Sequence, residues 1–132
     1  KIAEKDLKYA KLCLDADEPL GTITHLHASI EKSLKGICEE LVGVPPKIHS
    51  LKKLAIDVCK INLESKQIKF LTFLDEAFID SRYPEDLSAF EEEFDLDSCK
   101  NLYIETKEVL KCFQRVIKIK ERHCRLLCTP FG

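Results

Sequence analysis

With 132 residues, 45% of them hydrophobic and 33% charged, the chain has the apolar content for one core, too much of it for a disordered segment and too much charge for a membrane protein. No apolar run nears the ~20 residues of a bilayer span, and the opening "KIAEKDLKYA" is too charged for a signal peptide. The net charge is −2, and DNA is not an expected partner.

Ala3, Leu7, Ala10 and Leu14 recur at intervals of four, three and four, which predicts a first helix ending in the acidic turn from Asp15 to Glu18, where Pro19 stops or restarts the chain. Ile23, Leu26 or His27, Ile30, Leu34, Ile37 and Leu41 form the stripe of a second helix, closed by "GVPP", whose double proline at 45 and 46 excludes helix. Ser50 is the expected N-cap of a third, with Leu51, Leu54, Ala55 and Val58 facing inward. Ser65 is the expected cap of a fourth, "KQIKFLTFLDEAFI", the most apolar element and so the one expected to be most buried. Leu96, Tyr103, Leu110, Ile117 and Cys124 repeat every seven residues along the last helix, interleaved with Cys99, Thr106, Phe113 and Leu127, and only Lys120 breaks the second series. That stripe spans ~45 Å at 1.5 Å per residue, and its end is expected to pack on another subunit before "TPFG" stops it.

The expected fold is therefore all-α: an antiparallel up-and-down bundle of four main helices plus a short extra one, with a long C-terminal helix, in a single domain covering residues 1–132. The chain lacks an initial Met, which points to a domain excised from a larger protein. Its seven cysteines are odd in number, lack any CxxC and stand among apolar neighbours, so they are expected to be small buried hydrophobes in a reducing, cytoplasmic setting. Cys124 and Cys128 beside His123 lack the second ligand pair a zinc site needs, and His25 and His27 point apart on a helix, so no metal is expected. The four glycines stand alone and build no phosphate loop. Acids are plentiful in "FEEEFDLD", yet nothing beside them supplies the apolar pocket that would raise a catalytic pKa.

Charge is segregated along the chain. Residues 1–44 sum to −2, 45–69 to +4, 75–97 to −9 and 100–125 to +5. Basic segments thus flank an acidic one, and if folding gathers them they favour an anionic ligand, whereas solvated helix faces are the plain alternative. Within the acidic segment Arg82 stands against ten Asp or Glu residues. Pro84 biases Tyr83 to an extended conformation. A rigid exit of this kind suits aiming a guanidinium inward, and a salt bridge to Glu31 or another helix carboxylate is the structural alternative.

Three stretches in order, "HASIEKSLKGICEELVGVPPKIHSLKKLA" (27–55), "FLDEAFIDSRYPED" (73–86) and the long closing helix, resemble the HEPN family of nucleotide-binding domains. The motifs that carry the likeness are Glu31-Lys32-x-Leu34-Lys35, Pro46-Lys47-Ile48-His49-Ser50-Leu51 and Ser81-Arg82-Tyr83-Pro84. The resemblance implies an up-and-down bundle paired as a homodimer with a polar groove between subunits. It implies either a metal-independent ribonuclease, with an Arg followed after four to six residues by His, or a non-catalytic domain that holds nucleotides or serves as an interaction module. After Arg82 no His occurs until His123, so the ribonuclease motif is absent and no enzyme is expected. The resulting expectation is a homodimeric module that binds a purine triphosphate such as GTP or ATP as ligand, needs no cofactor, and serves other protein partners, chaperones among them. Its candidate binding residues are Lys32, Lys35, Lys47, His49, Lys52, Lys53, Arg82 and Tyr83.

Overall fold

The apolar stripes become helices that close on a shared core. The computed structural model describes residues 2–44, 46–82 and 85–127, with side chains for all of these except 2 and 120–127. Its elements are α1 (Ile2–Asp15), α2 (Pro19–Val42), α3 (Leu51–Lys53) continued by a π-helical turn (Leu54–Val58), α4 (Ser65–Arg82), α5 (Leu87–Glu93) and α6 (Leu96–Leu127), with no strand among the described residues. The fold is all-α, with α1, α2, α4 and α6 as the main helices. None of the described helices is long and apolar enough to cross a membrane.

The central element is α2. It packs against α1, α3, the π turn, α4 and α6, burying Ile23, Leu26, Ile30, Leu34 and Ile37 along its predicted stripe. Pro19 begins it, where a missing N–H costs nothing, and Gly43 ends it at φ 85° with its N–H on the Glu39 carbonyl. A side chain at that left-handed position would cost about 1–2 kcal/mol. Gly21 has a different reason: a Cβ there would stand 2.7 Å from Cys13 Sγ, so its absence lets α1 lie close on α2. The sequence had pointed to α4 as the most buried helix. Instead α4 has an open side, with Phe73 43% and Ile79 61% exposed, because its apolar residues surround the helix while only one face meets the bundle.

Ser50 caps α3 as expected, accepting from the Lys53 N–H. Beyond it the helix widens, and the Cys59 N–H reaches back five residues to the Leu54 carbonyl. The extra residue shifts the last inward position, so that Cys59 is buried and Val58 only half-buried. At the start of α4, the Glu64 N–H donates to Gln67 Oε1, half of a capping box set one residue before the expected Ser65 cap. A second short helix, α5, was not expected; Asp86 caps it by accepting from the Ala89 N–H at 3.2 Å, and it buries Phe90.

The long helix α6 forms as predicted, but rotated. Its buried line is Cys99, Leu102, Thr106, Val109 and Phe113, so the Cys99 series lies at the centre of the seam. Leu96 is exposed and Tyr103, Leu110 and Ile117 are half-buried flankers. Leu102 and Val109 turn the helix this way, because they extend the Cys99 series into a three-four alternation. Cys124, Leu127 and "TPFG" lie outside the described side chains.

Candidate functional site

At the centre of the polar network is a histidine inside the bundle. His27, on the inner face of α2, is 1% exposed. Its Nε2 donates to Asp75 Oδ1 of α4 at 3.0 Å, and its ring stacks on Phe78 with centroids 4.0 Å apart and planes 11° apart. The Arg82 guanidinium lies over the other part of this stack, 5.5 Å from the Phe78 centroid. Asp75, Phe78 and Arg82 follow i, i+3, i+7 spacing and so share one face of α4 over ~10 Å.

Asp75 also holds the start of α3. It accepts from the Leu51 N–H at 2.9 Å, Ser50 Oγ at 3.1 Å and the Lys52 N–H at 3.4 Å, which places a carboxylate where the helix dipole favours one. Burial alone would push its carboxyl up, but the hydrogen bonds from His27, Leu51 and Lys52, with the His27 charge, hold it below the ordinary value of 3.8.

One turn along α2 from His27 sits Glu31. Its Oε2 accepts from Lys35 Nζ at 2.8 Å and from His49 Nδ1 at 3.0 Å, while its Oε1 lies 3.6 Å from His27 Nδ1, an atom that has no hydrogen-bond partner. Burial raises the Glu31 carboxyl, yet Lys35 and His49 more than offset it and hold it below 4.5. While its Nδ1 donates to Glu31, the His49 ring remains exposed. Lys52 and Lys53 line a cavity of about 410 Å³ with Asp57, Asp75, Glu76 and Ile79, within the ~300–1,000 Å³ of small-molecule sites.

A model of the HEPN domain family matches residues 1–123. The chain belongs to the HEPN family. No curated protein and no solved structure matches it.

In this HEPN domain the sequence-derived candidates fall into separate places. Lys35 and His49 meet at Glu31, Lys52 and Lys53 stand by Asp75, and Arg82 rests on Phe78, so His27 and Asp75 join all three. Lys47 is exposed on the segment between α2 and α3. Lys32 is not part of the group: about 100° around α2 from Glu31, it pairs with Asp6 at 2.6 Å and borders a groove of about 730 Å³ with Lys107 and Lys111. Tyr83 and Pro84, and with them the rigid exit, lie outside the described residues, as does the side chain of His123.

The salt-bridge explanation of Arg82 does not hold among the described residues, where no carboxylate lies within 4 Å of it. His49, for its part, is held by Glu31. Sequence reading missed His27 as a connecting residue and Asp75 altogether. Two signals pointed to them: the i, i+4 spacing of His27 and Glu31, and a lone carboxylate within the apolar run "FLTFLDEAF". Among the described residues no group of three or more His, Cys, Asp or Glu is placed to hold a metal ion.

Proposed function

We propose that this HEPN domain binds a purine nucleoside triphosphate, such as GTP or ATP, without hydrolysing it, and acts as a homodimerisation module of a larger protein. The observation that supports this reading is Arg82. It is exposed in an acidic part of the chain, yet its guanidinium lies on the Phe78 face instead of pairing with a carboxylate. A planar donor fork backed by an aromatic ring suits a phosphate or a base edge. Lys47, Lys52 and Lys53 are likewise exposed and without an ion pair among the described residues, and they sit on the segment that Asp75 ties to the same helix. Three or four charge-assisted contacts of about 1.5–3 kcal/mol each would give micromolar affinity after binding costs.

No histidine follows Arg82 at the four-to-six-residue spacing of the ribonuclease motif, which supports binding over ribonuclease chemistry. Within the family, the cysteine-rich closing helix resembles that of the HEPN domain ending sacsin, a giant co-chaperone-like protein, and on that likeness the parent would be chaperone-related and cytoplasmic.

Titration with a labelled purine triphosphate tests the proposal. Saturable micromolar binding that weakens at least tenfold in Arg82→Ala with Lys35→Ala is the expected result. Absent binding with a persistent dimer mass would leave a protein-interaction domain. Chelator-resistant cleavage of single-stranded RNA, lost in His123→Ala, would instead make it a ribonuclease.

A further inference from the structure

Two sulfurs outside the polar network stand closer than the packing of separate thiols requires. Cys38 Sγ, on the last turns of α2, is 2.8 Å from Cys59 Sγ, at the end of the π turn, and both residues are 0% exposed. A disulfide has an S–S length of about 2.05 Å, so closing the pair needs a movement of roughly 0.8 Å. We propose that Cys38 and Cys59 form a reversible oxidation site, closed to a disulfide by hydrogen peroxide or a similarly small peroxide.

The chemistry balances without a metal or cofactor. One thiol, as its thiolate, attacks a peroxide oxygen; the O–O bond breaks, giving a sulfenic acid, and the departing hydroxide takes up the proton as water. The second thiolate then attacks the sulfenic sulfur, the S–S bond forms, the S–O bond breaks, and a second water leaves. Two thiols and one hydrogen peroxide thus become one disulfide and two waters.

Both sulfurs are buried, so the first step needs local opening. Residues 43–44 and 46–50, which belong to no helix and include the exposed Val44, lie between the two elements that hold them, and such segments open at a fraction of the global unfolding free energy. Two of the other described thiols are held back from the thiolate form. The Cys99 thiol is pushed up to about 11 by burial, with Asp95 and Asp17 adding to it, and Cys13 is raised by burial and by Glu18. The bridge would close a loop between positions 21 apart, carrying Lys47, His49, Ser50, Lys52 and Lys53, and so pin that cationic segment to α2.

The bond can be tested without any nucleotide. The reduced domain is exposed to a few equivalents of hydrogen peroxide, remaining thiols are alkylated, and tryptic peptides are weighed before and after a thiol reductant. The expected product joins peptide 36–47 to peptide 54–60 with the loss of two hydrogens. It separates on reduction, and the urea midpoint of the oxidised domain is higher than that of the reduced one. Recovery of both peptides fully alkylated at a dose that oxidises Cys13 or Cys112, or either peptide joined to a different cysteine, overturns the proposal. Because the unmutated chain supplies this readout, a folding defect in Cys38→Ala would not obscure it.

Discussion

Replacing Asp75 should unfasten three helices at once. Its carboxylate accepts from His27, Leu51, Ser50 and Lys52, joining α2 and α3 to α4. His27 and Leu51 are buried, so in Asp75→Ala their two donors lose a partner that water cannot readily replace. At about 1–3 kcal/mol for each orphaned donor, the loss is roughly 2–6 kcal/mol. Asp75→Asn keeps one accepting oxygen and turns an amide N–H₂ toward the remaining donors, so about half that loss is expected. Urea denaturation followed by circular dichroism measures both, and with a slope of ~2 kcal/mol per molar the midpoint of Asp75→Ala should fall by about 1–3 M. A loss under ~1 kcal/mol in Asp75→Ala would refute the reasoning, because it would mean that neither buried donor depends on the carboxylate.

Acid should weaken this network and the separate cluster around Asp6. Asp6, Glu31 and Asp75 all have carboxyl pKa values lowered on folding, against burial and through their cationic or N–H partners. A depressed carboxyl contributes stability above its unfolded pKa and loses it as pH falls through the folded value, so urea midpoints should decline below about pH 4.5, and less steeply in Glu31→Gln. Gly21→Ala brings a Cβ within 2.7 Å of Cys13 Sγ; overpacking of about 1–3 kcal/mol exceeds the ~1 kcal/mol helix gain. Thermal melts should therefore show a destabilised single variant, and on a Cys13→Ala background the same change should stabilise. Thr106 is 0% exposed with an unpartnered hydroxyl, so Thr106→Val should raise stability by ~1 kcal/mol in urea titrations.

The apolar period located α1, α2 and α6 because each carries a long stripe with punctuation at its ends, as Pro19 and Gly43 do for α2. The seven-residue repeat alone did not give the rotation of α6, since Leu96, Tyr103 and Leu110 make as apolar a line as Cys99, Thr106 and Phe113, and the choice rests on Leu102 and Val109, which extend the second line, and on the packing of α6 against α1 and α2. Asp86 capped a helix hidden in a run of acids, where solvated charge and a cap look alike in sequence. For the site, Glu31, Lys35 and His49 were reached through the family likeness and do meet. The His27 and Asp75 pair was not, because a contact between residues 48 positions apart leaves no local period to read.

The π turn at Leu54–Val58 makes sulfur pairing a matter of counting. One surplus residue in that coil is what brings Cys59, and not Val58, to the inner surface opposite Cys38. A deletion between Leu54 and Cys59 would tighten the coil and advance every later side chain by about a third of a revolution. Oxidant sensitivity in this domain is thus written in spacing as well as in residue type, and a sequence that kept both cysteines could still lose it by one codon.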